Sequence, residues 1–421
     1  MLGGVRDTEL YKHLLGLSEP WRVIKVELDV EDGRVDVWTE QKKGQRFPCP
    51  ECGTECGVYD HSDERVWRHL DSCQFRTFLH CRPPRVRCKE HGVKQVRLPW
   101  AEPHSRFTMM FERLAIDVLR DMSITAAARI LRLSWDEVWH LMERAVERGQ
   151  LRKEQRPLRL IGVDEKSTRK GHRYMTLVCD LEHGTVEYVG DGRRKESLDR
   201  FFEQLKPEQL EEIEAVAMDM WEPFVSSVAA NRPDGASKIV FDRFHIMQHM
   251  NEAVDKVRRQ ENRTLVEWGL DQLKKTKHLW LYAEENVPEK HAERFEALRD
   301  SNLKTARAWA IKEQLRGLWE CEAPIDGRFY WKRWNDWASR CRLPPVEDVA
   351  RMVRQRLPNV LSYFTHRITN AMSEGINSVV QTIKRTARGF RNQKHFKTAI
   401  FFRCGGLDLY PEFRPTHTLP G

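Results

Sequence analysis

Between residues 158 and 242 the chain alternates short β-rich runs with polar turns and two helical stretches, an order that leaves few folds open. Runs at 158–164, 173–181 and 185–190, joined through Lys170-Gly171-His172 and Glu182-His183-Gly184, predict an antiparallel meander. Leu198, Phe201, Phe202 and Leu205 then recur at helical spacing, with Ser197 expected as the cap and Pro207 as the stop. A fourth strand is expected over 213–219, a helix over 222–230 and a fifth strand over 238–242.

The resulting order, β-β-β-α-β-α-β, is the ribonuclease H-like topology, in which the first strand is central and the fourth lies beside it. Asp164 ends the first run and Asp219 the fourth, so their carboxylates are expected as neighbours. A single Asp at a strand end is often a turn or helix-cap residue. A pair on adjacent strands is harder to explain that way, because two such charges repel unless a cation joins them. Oxygen-only ligands suit Mg²⁺ or Mn²⁺. Two such ions about 4 Å apart activate an attacking water or 3′ hydroxyl and stabilise the leaving oxygen.

Glu374, in Asn370-Ala-Met-Ser-Glu-Gly-Ile-Asn, is the expected third acid. It stands 155 positions beyond Asp219, against 55 between the two aspartates, too long a connection for a compact fold of this type. An insertion is therefore expected, and the Lys, Glu, Arg and Leu content of residues 255–345 predicts an all-helical one. Seven of the chain's 14 Trp lie there: Trp268, Trp280, Trp309, Trp319, Trp331, Trp334 and Trp337. Most are expected in the insertion's own core, with one available to stack on an unpaired base. Beyond Glu374, residues 381–397 hold six Lys or Arg and no acid. On one helix with a metal ligand near its start, Lys384, Arg385, Arg388 and Arg391 would follow a DNA backbone; the alternative is a plain solvated face.

Cys49-Pro-Glu-Cys52-Gly and Cys88-Lys-Glu-His91-Gly make a C-x2-C and a C-x2-H pair, each followed by Gly for a tight turn. That spacing predicts a tetrahedral structural Zn²⁺ site built from Cys49, Cys52, Cys88 and His91. The β-like segments Val66-Trp-Arg-His-Leu and Phe75-Arg-Thr-Phe-Leu-His-Cys lie between the pairs, so the ion is expected to staple a small β domain. Cys56, Cys73, Cys81, His61, His69 and His80 compete for ligation. No secretory signal precedes these Cys, and metal binding is preferred over disulfides.

Basic residues crowd the same region, among them Arg65, Arg68, Arg76, Arg82, Arg85, Arg87, Lys89, Lys94 and Arg97, in a chain of net charge +8. Such patterning predicts a polyanionic partner. Downstream, Phe107, Phe111, Leu114, Ala115 and Val118 form one predicted helix face, and Ile124-Thr-Ala-Ala-Ala-Arg-Ile-Leu a second helix. Ser134-Trp-Asp-Glu137 is a capping box opening a third, over about 135–147. The linker Arg132-Leu133-Ser134 has helix-turn-helix length. The third helix is the expected recognition helix, with Arg129, Arg132, Trp135 and His140 as candidate DNA contacts; a packing unit without DNA contact is the alternative.

Over nearly its whole length the chain resembles insertion-sequence transposases of the ISL-three family. The resemblance runs through the Cys49/Cys52/Cys88/His91 knuckles, Val66-Trp-Arg-His-Leu-Asp, the helix-turn-helix, Ile161-Gly-Val-Asp-Glu165, Met218-Asp-Met-Trp221 and Phe241-Asp-Arg-Phe-His245. It continues in Glu374-Gly-Ile-Asn377 and Ile383-Lys-Arg-Thr-Ala-Arg-Gly-Phe. The resemblance implies a DDE transposase that binds terminal inverted repeats through its N-terminal domains and cuts and joins strands with Asp164, Asp219 and Glu374. His91 departs from the Cys of many relatives, but His is a competent zinc ligand. Asp242 and His245 are similar to an Asp-x-x-His motif of several DDE lineages with helical inserts. They are candidates for shaping the site from outside the metal shell, and Asp242 also rivals Asp219 as second metal ligand. Asp219 is preferred, because it ends the strand expected next to the one bearing Asp164.

The expected fold class is multidomain α+β. An N-terminal helix and hairpin fill 1–45, a zinc-binding β module 46–100 and a helix-turn-helix 105–150. A ribonuclease H-like α/β catalytic core over 157–260 is interrupted by an all-helical insertion over 261–360 and completed by final helices with Glu374 over 361–405. A Pro-rich tail over 406–421 is expected to be loosely ordered. At 421 residues and 40% hydrophobic the chain has apolar content for several cores. No run nears the roughly 20 apolar residues of a membrane span, so a soluble, cytoplasmic, nucleoid-associated enzyme is expected. Its expected partners are double-stranded DNA, as inverted repeats and target, and at least one further copy of itself, because two ends must meet. Two rivals stay open: a transposase-derived DNA-binding regulator without catalysis, and a ribonuclease H-like nuclease with neither end preference nor strand joining.

Overall fold

The computed structural model describes residues 6–169, 173–232, 234–368 and 371–412, so Lys170-Gly171-His172 and Asn370 lie outside the described residues. The chain divides into two compact units, one ending at Glu154 and resumed from Phe401, the other Gln155–Ile400.

The first unit opens with helix Asp7–Leu14 and a hairpin of β1 (Trp21–Asp29) and β2 (Arg34–Gln41), closed by Gly33 at φ +59. Six strands follow: β3 (Arg46–Pro48), β4 (Glu55–His61), β5 (Arg65–Ser72), β6 (Phe75–Cys81), β7 (Pro84–Cys88) and β8 (Gly92–Gln95). They build two four-stranded sheets, β1-β2-β6-β5 and β3-β4-β7-β8. The segment between the two Cys/His pairs therefore does not stay in one sheet. β6 runs parallel to β2, from Arg34 opposite Arg76 to Thr39 opposite Cys81. That pairing buries Val37, Trp67 and Leu79 in one core, where Trp100 meets Trp21 and Trp67 edge-on at 4.8 and 5.9 Å.

Helices Met109–Asp121, Ile124–Leu131 and Trp135–Arg152 complete this unit. Thr108, Ser123 and Ser134 cap them, each side-chain oxygen accepting from a backbone N–H of the first turn, and the Ser134–Glu137 box is reciprocal. The first helix starts after Phe107, which stacks on Phe111 instead, and Leu114 faces solvent. Its buried face is Met109, Phe111, Ala115, Ile116 and Leu119. Inside, the Glu112 carboxylate is 2% exposed and pairs with Arg144 at 2.9 Å and Arg148 at 2.8 Å. Arg148 also donates to the Leu409 carbonyl at 2.6 Å. Leu407, Leu409 and Pro411 are buried, so residues 406–412 are held down rather than loose, while residues 413–421 of the expected tail lie outside the described residues.

The second unit is built on β9 (Leu160–Arg169), β10 (Arg173–Asp180), β11 (Thr185–Asp191), β12 (Ala215–Met218) and β13 (Ile239–Phe241). Their order is β11-β10-β9-β12-β13, with β9, β10 and β11 antiparallel and β12 and β13 parallel to β9. Helix Lys195–Phe202 begins two residues before Ser197, which is buried inside it and bonded to Thr176 at 2.9 Å, so Ser197 is not its cap. Pro207 opens a further helix, Pro207–Glu212, because the N–H it lacks has no helical partner at that position anyway.

One face of the sheet, with Ile161, Val163, Val216, Met218 and Phe241, packs on Leu198, Phe201, Phe224 and Ile246. The same cluster runs on to Trp280, Trp309, Trp319 and Trp334, so residues 261–360 share their core with the sheet. Beyond β13 every element among the described residues is helical, starting with Arg243–Glu267. Trp268, 71% exposed just past that helix, and Trp337 are the exposed ones among these Trp. The other face is lined by small residues, Ala215, Ala217 and Gly162. A Cβ on Gly162 would sit 2.4 Å from Ser373 Oγ, so helix Ala371–Thr386 lies as close to β9 as glycine allows. Among the described residues no helix is long and apolar enough to cross a membrane.

Candidate active site and zinc centre

Cys49, Cys52, Cys88 and His91 converge, with all four ligand atoms within 4.8 Å of one another. The Sγ atoms of Cys52 and Cys88 are 3.6 Å apart, and His91 Nδ1 lies 3.7 Å from Cys88 Sγ and 3.9 Å from Cys49 Sγ. A tetrahedral Zn²⁺ with ordinary Zn–S and Zn–N bonds needs ligand separations of about 3.6–3.8 Å, so this donor set fits one. Gly53 and Gly92, at φ +75 and +69, make the turns that bring each pair round. The hydroxyl and backbone N–H of Thr54 hold the Cys52 thiol down to about 6, which favours the thiolate a metal needs.

The competitors are engaged elsewhere. Cys81 lies in β6, where burial pushes its thiol up to about 12. His69 is buried against Thr108 at 2.9 Å, and burial lowers its imidazole to about 4. His80 bridges Asp36 and Glu64 at 2.5 and 3.0 Å. His61 meets Gln41 at 2.5 Å, Cys56 meets the Thr54 carbonyl at 3.3 Å, and Cys73 sits exposed in the β5–β6 turn.

Arg129 and His140 are exposed, as is Trp135 in the first turn of the third helix, its ring stacked on Trp139 at 5.8 Å. Arg132 has a second task. It ends the preceding helix in the left-handed region at φ 53, and its guanidinium donates to the Gln74 carbonyl at 2.7 Å, tying the turn to the β5–β6 hairpin. Near the C-terminus, Arg388 and Arg391 are not on the helix that carries Glu374. That helix stops at Thr386, Arg388 and Gly389 take φ 53 and 94, and a new helix begins at Gln393. Two successive left-handed residues terminate a helix whatever its charge pattern. Arg385 stays on the helix and exposed, whereas Lys384 donates back to the Ser167 carbonyl of β9 at 2.7 Å.

Asp164 lies within β9 rather than at its end, because β10 pairs with β9 as far as Arg169. The parallel neighbour is shorter. The β9–β12 ladder stops with Gly162 opposite Ala217, and continuing it by two positions sets Asp219 opposite Asp164. Asp164 Oδ1 accepts the Glu165 N–H at 2.6 Å. Its Oδ2 lies 3.1 Å from Lys166 Nζ and accepts from Asn377 Nδ2. Asn377 is one turn beyond Glu374, which is exposed in the first turn of helix Ala371–Thr386. The three acids are not gathered as tightly as the zinc ligands, the one set among the described residues within 4.8 Å of one another. Lys166 pairs with the charge of Asp164.

Burial raises the Asp219 carboxyl above its ordinary range, and the Asp164 charge adds to this, against the Trp221 N–H, His245 and His249. Asp242 is buried and caps helix Arg243–Glu267, accepting the Phe244 N–H at 3.0 Å, with His245 Nε2 4.0 Å from its other oxygen. Three residues bear on this site without any expected role from the sequence: Glu165, Arg193 and Trp221. Arg193 pairs with Glu165 at 3.0 Å, and burial raises the Glu165 carboxyl against that pairing. Beside them lies a cleft of about 970 Å³ lined in part by Tyr174, Arg193, Arg194, Arg200 and Trp221. The local signal was Gly192, whose φ of +85 turns the chain after β11 and aims Arg193 inward.

Comparison with known proteins agrees along the chain. Residues 45–91 match the zinc-finger of transposase IS204/IS1001/IS1096/IS1165, and residues 96–146 the helix-turn-helix domain of transposase family ISL3. Residues 161–400 match the ISL3 model described as transposase. The transposase for insertion sequence element IS1001 of Bordetella parapertussis is 27% identical over 387 residues, covering 91% of this chain and 95% of that protein. The transposase for insertion sequence element IS1557 of Mycobacterium tuberculosis is 26% identical over 452 residues, covering 99% and 98%. With more than half of its length matched by the family's transposase model, this chain belongs to the ISL3 family of transposases.

Proposed function

We propose that this chain is a DDE transposase with a ribonuclease H-like catalytic core, in which Asp164, Asp219 and Glu374 hold Mg²⁺ or Mn²⁺. It binds the terminal inverted repeats of an insertion sequence as double-stranded DNA, cleaves strands at their ends and joins them to target DNA. It works in the cytoplasm, on the nucleoid, as a dimer or larger assembly on DNA. The observations that support this reading are that the β9–β12 ladder, whose last pair is Gly162 with Ala217, leads toward Asp164 and Asp219 two positions further on, and that Asn377, one turn from Glu374, donates to Asp164.

The donor set is one of hard carboxylate oxygens, which suits Mg²⁺ or Mn²⁺ and not a soft metal. When bound, two such ions supply the charge that activates the attacking oxygen and stabilises the leaving one. The protein's own contribution is to hold the acids in register and to lay the phosphate backbone along cationic side chains. Candidates are Arg385 on the helix that carries Glu374, Arg388 and Arg391 in the turn beyond it, and Arg129, Trp135 and His140 on the helix-turn-helix. Asp242 acts through the helix it caps and His245 beside it, which favours Asp219 as the second metal ligand. Zn²⁺ at Cys49, Cys52, Cys88 and His91 is structural, stapling the sheet that carries it.

The test is Mg²⁺- or Mn²⁺-dependent nicking and joining of inverted-repeat DNA by purified protein. Wild type is expected to nick at the repeat ends and join them to target. D164N, D219N and E374Q are expected to bind the ends yet leave them uncut. Cleavage surviving in all three variants rejects the reading.

A further inference from the structure

The β9–β12 ladder ends two residues before the aspartates, so backbone pairing between these two strands does not fix the distance between Asp164 and Asp219. A side chain does. The Arg193 guanidinium lies 3.0 Å from Glu165 Oε1 on β9 and stacks over two rings, 4.0 Å from the Tyr174 centroid and 4.6 Å from that of Trp221. The Arg193 carbonyl accepts the Trp221 indole N–H at 2.9 Å. Glu165 and Trp221, the residues it grips on either side of the gap, each present a backbone N–H to one aspartate. Glu165 donates to Asp164 at 2.6 Å and Trp221 to Asp219 at 3.1 Å.

We infer that Arg193 is a positioning residue that sets the spacing of the Asp164 and Asp219 carboxylates, acting through Glu165 and Trp221. This rests on the reading of those aspartates as metal ligands. Arg193 is itself anchored from behind. Gly192 at φ +85 donates to the Tyr174 carbonyl at 2.9 Å and accepts from Thr176 at the same distance, which fixes where the chain leaves β11. The other Glu165 oxygen is buried with no hydrogen-bond partner, so the orientation of that carboxylate depends on Arg193. Lysine is a poor substitute: an ammonium can pair with Glu165, but only a planar guanidinium lies flat between two rings while doing so.

Outer residues that orient metal ligands typically change metal affinity by about 10- to 100-fold when removed, and that is the readout. Mn²⁺ binding to the full-length, zinc-loaded protein is measured from the signal of free Mn²⁺ by electron paramagnetic resonance, for wild type, D164N, R193A, R193K and W221F. The expected result is loss of binding in D164N, affinity lowered about tenfold or more in R193A, and smaller losses in R193K and in W221F, which keeps a ring but lacks the indole donor. Cleavage by R193A is expected to recover as Mn²⁺ is raised, a rescue that general destabilisation would not give. If D164N loses Mn²⁺ while R193A, R193K and W221F all bind within about twofold of wild type, the positioning role is overturned and the aspartate reading stands. If D164N binds Mn²⁺ as wild type does, the aspartate reading falls and the positioning role falls with it.

Discussion

Asn377 donates a side-chain hydrogen bond to Asp164 from helix Ala371–Thr386, one turn beyond Glu374. Four residues before Asn377, Ser373 lies against Gly162, two residues before Asp164 on β9. The helix and the strand are thus fastened at two successive points, and Glu374 rides on the fastened turn. The distant acid owes its place to small-residue packing against the sheet rather than to any feature of its own.

Gly162→Ala tests that packing. The added methyl meets Ser373 Oγ at 2.4 Å and Leu181 Cδ2 at 2.8 Å, so helix or strand must shift. We expect a loss of about 1–3 kcal/mol by chemical denaturation and a fall in cleavage. Ser373 Oγ is buried without a hydrogen-bond partner, so the double variant G162A/S373A is expected to recover part of the stability. No loss in G162A would mean that the helix is not held where Glu374 requires it.

Zinc removal should act on one sheet of the first unit and spare the other. The β3–β4 turn holds Cys49 and Cys52, and the end of β7 with the turn into β8 holds Cys88 and His91, whereas β5 and β6 pair with β1 and β2 around Trp67 and Leu79. Chelation is expected to raise hydrogen exchange over 46–61 and 84–95 while the β5–β6 hairpin stays protected. The metal-free Cys52 thiolate protonates as pH falls through about 6. Zinc affinity should therefore weaken on acidification, more steeply below about pH 6, where Cys52 adds its proton to that already held by Cys49, as a metal-indicator competition from pH 5 to 8 will read. Uniform exchange across both sheets would contradict this division.

Arg148→Met removes one of two cations from a carboxylate that is 2% exposed. Breaking a buried ion pair costs about 3 kcal/mol at the low end of its range, and Arg144 remains to soften the loss. Faster exchange over 109–152, together with release of residues 406–412, is the expected signature, because Arg148 also holds the Leu409 carbonyl. Unchanged exchange in both segments would show that the network contributes little.

On end DNA, Arg385→Ala and Arg391→Ala should each lower the salt dependence of affinity by about 0.9 log unit per log unit of salt, with sequence preference kept. Arg129→Ala on the helix-turn-helix should instead relax preference among repeat variants, by about 1–3 kcal/mol if it reaches a base edge. Fluorescence anisotropy across a salt series separates the two patterns. A wild-type affinity insensitive to salt would contradict phosphate contacts altogether.

Much of this was legible along the chain. Apolar runs marked all five strands of the second unit, the Cys/His spacing marked the zinc ligands, and Ser134 with Glu137 marked the third helix's start. Features set by distant partners were not legible. Asp164 is mid-strand only because β10 extends the pairing, and β5–β6 leave the zinc sheet only because β2 offers a parallel edge. The break after Thr386 did have a local sign, Gly389, which the density of Lys and Arg around it masked. Arg193 had almost none: its role exists only once Glu165, Tyr174 and Trp221 surround it.

The most direct test of the central claim is iron-mediated backbone cleavage. Fe²⁺ replaces Mg²⁺ in the complex with end DNA, ascorbate and peroxide are added, and the protein's cut sites are mapped. Cuts clustered near 164, 219 and 374, suppressed by excess Mg²⁺, are the predicted result. Cuts near 164 and 242 without 219, or none near 374, would contradict it.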